Sequence, residues 1–250
     1  MTIDIDKARR ETPGAEKVLH FNNAGAALMP APVVDAVLGY VRREAETGGY
    51  ETAAELWDEV EGVYDLLARL LGCARAEVAV IENATRAWDM LFYAFDLQPG
   101  DRILTGESEY ASNYLAYLHA TRRRGCEVVP IASDEAGAVS LDALGAAIDE
   151  RVKLISISHV PTNGGLVNPA VEIGRIARAA GVPFLLDACQ SVGQMPVDVG
   201  EIGCDMLTAT SRKYLRGPRG VGFAYVDTDL IDRLEPPFID LHAATWTATD

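Results

Sequence analysis

The 250-residue sequence predicts an α/β fold, a three-layer arrangement in which helices cover both faces of a mostly parallel, seven-stranded sheet. Strand-like apolar runs alternate with helical patterns along most of the chain, which is typical of β-α repetition. The runs are apolar at nearly every position, as expected for strands that are buried on both faces. Ligands of such sheets bind beyond the carboxyl ends of the strands, so residues that directly follow a strand are the first candidates for a site.

Helices are predicted where apolar residues recur every three or four positions. The stretches 32–47 and 52–71 are both amphipathic, and Gly72 directly after the second is a typical helix stop. Further helices are predicted over 84–95, 111–124, 141–150 and 169–181.

Strands are predicted between these helices from short runs rich in β-branched and other apolar residues. They cover 78–81, 102–105, 127–131, 153–160, 183–188, a short run that ends near Thr210, and 222–226. The candidate site residues from Ala84 onward follow these strands, so their placements agree with one another.

The composition restricts the class of protein. Hydrophobic residues make up 49% of the chain, enough for a sizeable core. The formal net charge of −15 argues against nucleic acid or an anionic membrane as the main partner, and any anion-binding pocket must be built locally. No apolar run approaches the ~18 residues that cross a bilayer, and residues 1–14 lack the apolar core of a signal peptide.

The cysteine pattern adds an expectation about the cell compartment. The cysteines are scattered, without the C-x-x-C pairing that is typical of metal ligands, and they are Cys73, Cys126, Cys189 and Cys204. We therefore expect reduced thiols, no metal site and a cytoplasmic location.

Three residues suggest a particular cofactor. An apolar strand ends on Asp187, Gln190 lies three residues later, and Lys213 comes after a second short strand. This is the layout of a pyridoxal-phosphate (PLP) site, in which the lysine forms a Schiff base with the cofactor aldehyde and the aspartate keeps the pyridine nitrogen protonated. Taken alone, Asp187 is more often a cap or turn residue and Lys213 a surface lysine, so the prediction depends on their combination.

Two segments suit a phosphate group. Ala84 and Thr85 begin a predicted helix directly after a strand, where free backbone N–H groups and a hydroxyl can bind an anion. Thr210 and Arg212 offer a second hydroxyl and a guanidinium near Lys213. The alternatives are an ordinary helix N-cap in the first segment and a surface ion pair for Arg212.

Other candidates also come after strands or lie in loops. Tyr110, at a helix start, is a candidate for stacking on the pyridine ring, with a half-buried core aromatic as the alternative. Thr162 or Asn163 is a candidate donor to the phenolic oxygen of the cofactor, although Asn163-Gly164 is also a typical turn. The early segment that contains Asn23 and Ala24 is a candidate substrate entrance or a plain turn.

Together, these motifs resemble the class V aminotransferase family of fold-type-I PLP enzymes, from about Leu19 to the C-terminus. The family includes cysteine desulfurases, selenocysteine lyases, isopenicillin N epimerase-like proteins and ergothioneine-type C–S lyases. The resemblance implies PLP as cofactor, an amino-acid substrate and a homodimer. The TATSRKYLRGPRG stretch is most similar to the ergothioneine-type and epimerase branch.

The resemblance also implies a role for each matching residue. Lys213 corresponds to the Schiff-base lysine and Asp187 to the partner of the pyridine nitrogen. Tyr110 stands where desulfurases have a stacked histidine, and Asn163 is displaced by one position from the family pattern. The cofactor-binding set implied in this way is Ala84, Thr85, Tyr110, Thr162, Asn163, Asp187, Gln190, Thr210, Arg212 and Lys213, and Asn23 and Ala24 are the substrate-binding candidates.

The chain is shorter than is usual in the family, whose members end in a smaller domain. We therefore expect an entrance segment over 1–50, a PLP-binding large domain over 51–240 and the start of a C-terminal small domain over 241–250, where Thr245 or Trp246 is a candidate for a contact with the other subunit. A C–S lyase or desulfurase-like activity is expected. The alternatives are an aminotransferase or epimerase, and an inactive, truncated PLP-binding protein.

Overall fold

The computed structural model describes residues 3–162, 164–240, 245 and 247. Its strands are β1 (Val78–Ile81), β2 (Arg102–Gly106), β3 (Glu127–Ile131), β4 (Val152–Ser158), β5 (Phe184–Asp187), β6 (Met206–Thr210) and β7 (Gly222–Val226). They form one sheet in the order β1-β7-β6-β5-β4-β2-β3. Only the pairs that involve β7 are antiparallel among these described strands. The prediction of a mostly parallel sheet of seven strands is confirmed.

The helices fill the intervals between the strands. They are α1 (Ile5–Arg10), α2 (Ala31–Thr47), α3 (Gly49–Glu55), α4 (Trp57–Leu71), α5 (Ala84–Tyr93), α6 (Ala111–Arg124), α7 (Leu141–Ala147), α8 (Ala170–Ala180), α9 (Val199–Ile202) and α10 (Thr228–Ile231). No helix in the described ranges is both long and apolar enough to span a membrane.

Successive residues of the central strands enter different cores, because side chains alternate between the faces of a strand. Leu186 and Leu207 belong to the core formed with α4, α7 and α8. Their neighbours Leu185 and Met206 belong to the core formed with α5 and α6. This alternation explains why the strands read as continuously apolar, and it confirms that helices cover both faces.

Two predicted helix boundaries are wrong. The single helix expected over 52–71 is divided at Leu56, whose backbone leaves the helical region at φ −101° and ψ 22°. Neither glycine nor proline occurs at this break, so the sequence carries no signal for it. The helix expected over 141–150 already ends at Ala147, because Ile148 is extended and Asp149 instead binds Arg102.

Candidate active site

A cavity of about 330 Å³ lies at the carboxyl ends of β4, β5 and β6. The end residues of these strands, Ser158, Asp187 and Thr210, all line it. The predicted site residues that line the cavity are Ala84, Thr85, Tyr110, Thr162, Asp187, Gln190, Thr210, Arg212 and Lys213. The structure thus brings together residues that are up to 129 positions apart in the chain, counted from Ala84 to Lys213.

The remaining predicted residues lie elsewhere. Ala24 lines a neighbouring cavity of about 290 Å³ that shares Thr162 and Gln190 with the first. Asn23 lines a separate groove between the N-terminal residues and Arg216, and is therefore not brought to the predicted site. Asn163 and Trp246 are outside the described residues, and Thr245 is described as exposed.

Asp187 ends β5 as an almost completely buried carboxylate. Its Oδ2 accepts a hydrogen bond of 2.9 Å from Asn113 Nδ2, and its Oδ1 accepts one of 3.0 Å from the backbone N–H of Cys189. Both donors are neutral, and Asp187 has no salt bridge to any described residue. Because a buried anion is costly without a cation, this carboxylate suits a positively charged group in the cavity.

Lys213 comes after β6 and is likewise buried, with a relative exposure of 7%. Its Nζ lies 5.8 Å from the centroid of the Tyr110 ring. Tyr110 is the N-cap residue of α6 and lines the same cavity. Lys213 has no carboxylate partner among the described residues, so its amine is placed for a reaction or contact inside the cavity.

The start of α5, which also lines the cavity, is suited to an anion. Asn83 caps α5 by accepting a hydrogen bond of 2.8 Å from the N–H of Arg86, and the amides of Ala84 and Thr85 have no acceptor in the described part of the chain. A Cβ on Gly222 would lie 2.5 Å from the nitrogen of Ala84, so only glycine lets β7 approach the start of this helix so closely. Free amides at a helix start attract negative charge.

The charge of the cavity is opposite to that of the whole protein. Three cationic side chains, Arg212, Lys213 and Arg219, line it against two acidic ones, Glu82 and Asp187, although the chain carries a formal charge of −15. Arg212 Nη1 donates to Thr210 Oγ1 at 3.3 Å, which places a guanidinium and a hydroxyl side by side. An anion-binding site is therefore built locally.

The N-terminal segment forms one wall of this region through backbone contacts. Gln190 Nε2 donates to the carbonyl of Ala24 at 3.0 Å, and the N–H of Ala27 donates to the carbonyl of Arg212 at 2.8 Å. Gln190 Oε1 is buried without a partner in the described structure. This unpaired oxygen is a further polar group that a ligand can satisfy.

Sequence reasoning missed several residues of the site. Cavity-lining residues that it did not assign include Asn113, Ser158, Cys189 and Arg219. Asn113 lies three positions after Tyr110 on α6, so helical spacing alone could have placed both on one face. Cys189 is a poor nucleophile here, because burial raises the pKa of its thiol well above the usual range and the negative charge of Asp187 adds to this.

Sequence reasoning also missed Glu109, which lies just outside the residues that line the cavity. Its Oε1 accepts a hydrogen bond of 2.8 Å from the N–H of Ser158, and its Oε2 accepts one of 2.7 Å from Ser158 Oγ. Desolvation raises the pKa of the Glu109 carboxyl to about 7, although the hydrogen bonds from Ser158 lower it. The charge of Asp187 raises the same pKa, so the two carboxylates interact electrostatically.

The fold agrees with that of solved structures of fold-type-I enzymes. The cysteine desulfurase CsdA from Escherichia coli superposes with a TM-score of 0.90 at 21% identity, over 100% of this chain and 64% of that chain. The cysteine desulfurase from Thermococcus onnurineus NA1 superposes with a TM-score of 0.87 at 26% identity, over 96% of this chain and 61% of that chain. This chain therefore has the large-domain architecture of that class.

Sequence similarity identifies the family. The family model described as Aminotransferase class-V matches residues 19–241. The chain therefore belongs to the class V aminotransferase family, whose members use PLP. A probable cysteine desulfurase from Methanothermobacter thermautotrophicus is 31% identical over 234 residues, which cover 92% of this chain. The match spans 58% of the length of that relative.

Proposed function

We propose that this chain forms the cofactor-binding part of a PLP enzyme that acts on an amino-acid substrate, with C–S lyase or desulfurase-like chemistry. The observation that carries the proposal is the buried pair of Lys213 and Asp187, which face one cavity without an ionic partner among the described residues. Relatives named as cysteine desulfurases support the choice of chemistry.

The residues present fit PLP. The free amides of Ala84 and Thr85 and the guanidinium of Arg212 suit its phosphate. Asp187 suits a protonated ring nitrogen, because it is a buried carboxylate that receives only neutral donors. Tyr110, which has Lys213 Nζ above its ring, suits one face of the pyridine. The Gln190 amide is held through Nε2 by the carbonyl of Ala24, and its unpaired Oε1 remains available to accept a hydrogen bond from a ligand.

Each residue then has a defined task. PLP, when bound, supplies an electron sink that stabilises negative charge at the substrate Cα. Lys213 would hold the cofactor covalently through Nζ, and the same Nζ, when free, would accept the Cα proton of the substrate as a general base. Asp187 keeps the ring nitrogen protonated, and the surrounding buried residues limit the access of water to Lys213.

The step after Cα deprotonation decides the reaction class. Cleavage of the Cβ–S bond, with sulfur as the leaving group, would make the protein a C–S lyase. Return of a proton to the opposite face of Cα would make it an epimerase, and transfer of the amino group to a keto acid would make it an aminotransferase. Thr162 and Tyr110, which line the cavity, would contact the cofactor in any of these reactions. The identity of the product therefore separates the alternatives.

Substitution of Lys213 tests the covalent link to PLP, which all of the candidate reactions require. In Lys213→Ala we expect the visible absorbance of the protein–PLP adduct to disappear and product release to fall by at least about 100-fold, because both the covalent link and the base are lost. Lys153→Ala is a matched control, since Lys153 is exposed and donates to the carbonyl of Glu150 far from the cavity. Unchanged absorbance in Lys213→Ala would show that the assignment is wrong.

The product assay tests the reaction class. The PLP-loaded chain would be incubated with cysteine, and sulfide, pyruvate, alanine and keto acids would be measured. Sulfur release supports C–S lyase or desulfurase-like chemistry, and a keto acid that forms only with an amino acceptor supports an aminotransferase. No turnover of cysteine or of other amino acids, with PLP bound normally, would favour the inactive PLP-binding alternative.

The proposal also includes a division of the chain into segments and a location in the cell. We assign residues 1–50 to the site entrance, 51–240 to the PLP-binding large domain and 241–250 to the start of a small domain. The four cysteines are free thiols, which supports a cytoplasmic location.

A homodimer is proposed because apolar side chains on the N-terminal helices are exposed. Val37, Leu38 and Val41 on α2, with Val60 and Leu66 on α4, have exposures of 40% to 58%. Apolar surface of this kind favours association with a second copy. We expect light scattering to give twice the chain mass of 26.9 kDa, and a strictly monomeric mass at high concentration would contradict the dimer.

A further inference from the structure

We propose that Glu109 is a positioning residue of the cofactor site, which fastens the carboxyl end of β4 to the start of α6 and thereby sets the position of Asp187 relative to Tyr110. This inference rests on the proposed PLP function. It assigns a task to a carboxylate that does not line the cavity and has no part in the reaction steps above.

The contact between Glu109 and Ser158 is bidentate. The two carboxylate oxygens accept hydrogen bonds from the two donors of one residue, the N–H and the hydroxyl of Ser158, at 2.8 and 2.7 Å. Hydrogen bonds to a charged acceptor are stronger than neutral ones, and two parallel bonds also fix orientation. Ser158 is the last residue of β4, so Glu109 determines where this strand ends.

The effect reaches Asp187 by two routes. On the sheet side, Ser158 is paired with Asp187 in the β4–β5 register, and the N–H of His159 donates to the carbonyl of Asp187 at 2.9 Å. On the helix side, Glu109 directly precedes Tyr110, and Asn113 in the first turn of α6 donates to Asp187 Oδ2 at 2.9 Å. Glu109 is therefore linked to Asp187 through Ser158 on the sheet side and through the start of α6 and Asn113 on the helix side.

The position of Glu109 also has an electrostatic consequence. Burial is the largest cause of the raised pKa of Glu109; the hydrogen bonds from Ser158 lower this pKa, the charge of Asp187 raises it, and the amide of Tyr110 lowers it. The negative charge of Glu109 raises the pKa of the buried Tyr117 phenol, after the larger effect of burial. Arg212 and Lys213, which follow β6, are cations that line the cavity. At a pH above its pKa of about 7, Glu109 is charged and adds to the negative potential at Asp187, which stabilises a protonated group bound there.

Glu109→Gln tests this role, because glutamine keeps one acceptor for Ser158 but removes the charge. With PLP bound through Lys213, we expect the pH midpoint of its visible absorbance change to fall by about 0.5 to 1 pH unit, since protonated forms lose a favourable negative neighbour. We also expect PLP affinity to fall by about 3- to 10-fold. Both quantities come from absorbance titrations and need no turnover.

Glu107→Gln is the matched control. Glu107 also accepts hydrogen bonds from one serine: the N–H and the hydroxyl of Ser133 donate to its carboxylate at 3.0 and 2.6 Å. This pair is exposed, however, and does not line the cavity. Its substitution is expected to leave the midpoint and the affinity unchanged. If Glu109→Gln behaves in the same way as Glu107→Gln, the positioning role is wrong.

Ser158→Ala separates the effect of the Glu109–Ser158 hydrogen bonds, here called the clamp, from the effect of the Glu109 charge. It removes the hydroxyl donor and leaves the Glu109 charge, so we expect weaker PLP binding with little change in the midpoint. It also carries the test if Glu109→Gln fails to fold, as judged by circular dichroism, and unchanged PLP affinity in Ser158→Ala would then overturn the clamp. Absence of PLP binding in the unmodified chain would instead contradict the proposed function, so the two failures are distinguishable.

Discussion

The carboxyl edge of the sheet and the N-terminal segment differ strongly in burial, although both contribute to the same site. Around β5 and β6, side chains such as Leu186 and Leu207 are completely buried, and the polar residues Asp187, Thr210 and Lys213 are nearly so. In the N-terminal segment, Leu19 and Phe21 are more than 90% exposed, and α2 has no buried residue. The edge of the sheet is thus held by packing, whereas the N-terminal segment is held mainly by individual hydrogen bonds.

This difference indicates a division of tasks. Residues that must keep a fixed geometry, such as Asp187 and Lys213, extend from a rigid, two-sided core. The wall near the entrance is attached through the carbonyls of Ala24 and Arg212, as acceptors for Gln190 and Ala27. Backbone contacts of this kind permit local opening without disturbing the core.

The largest expected difference concerns stability. Leu207→Ala removes a completely buried side chain from the core between the sheet and α4, so we expect a loss of about 2 to 5 kcal/mol in the free energy of unfolding. Leu19→Ala removes a side chain that is 92% exposed, and we expect a change of about 0.5 kcal/mol or less. Urea unfolding of both variants measures the contrast.

The comparison between the two regions would fail if both variants lost similar stability. That result would mean that Leu19 is buried in solution, for example against a second copy. Repeating the measurement at several protein concentrations separates the two causes, because only a contact between chains makes the stability depend on concentration.

The sequence was sufficient to predict the residues at the ends of strands. An apolar run that stops at Asp187 or Thr210 marks a strand end, and parallel strand ends meet at one edge of a sheet. Asn83 before a helical pattern likewise marks a helix start with free amides. These positions depend on local patterns that are visible in one stretch of the chain, which is why they were predictable.

Contacts between distant residues were not predictable in the same way. Glu109 and Ser158 are 49 positions apart, and no local pattern shows that one binds the other. Asn23 was expected near the substrate because its segment is rich in small residues, but the chain turns so that Ala24 lies nearer the cavity. The direction of a loop depends on its tertiary contacts, here the bonds to Gln190 and Arg212.

Arg216 links the edge of the sheet to the N-terminal segment, and its substitution is expected to have a smaller effect on stability than Leu207→Ala. It has the only positive φ among the described non-glycine residues, 62°, and its N–H donates to the carbonyl of Lys213 at 3.0 Å. Its guanidinium donates to the carbonyl of Leu28 at 3.1 Å and to Thr12 Oγ1 at 2.5 Å. Arg216, which lies three residues after Lys213 in a left-handed backbone conformation, is therefore held in place by the N-terminal segment.

Two substitutions separate the backbone of Arg216 from its side chain. Arg216→Gly and Arg216→Ala both lose the guanidinium contacts, but only glycine adopts a positive φ without strain, so we expect Arg216→Gly to be more stable than Arg216→Ala by about 0.5 to 1 kcal/mol. Urea unfolding measures this difference. Both variants are expected to be cleaved faster by proteases between residues 12 and 28, because an anchor of that segment is lost. Equal stability with unchanged cleavage would mean that Arg216 does not hold the N-terminal segment, and that the wall of the site depends on Gln190 and Ala27 alone.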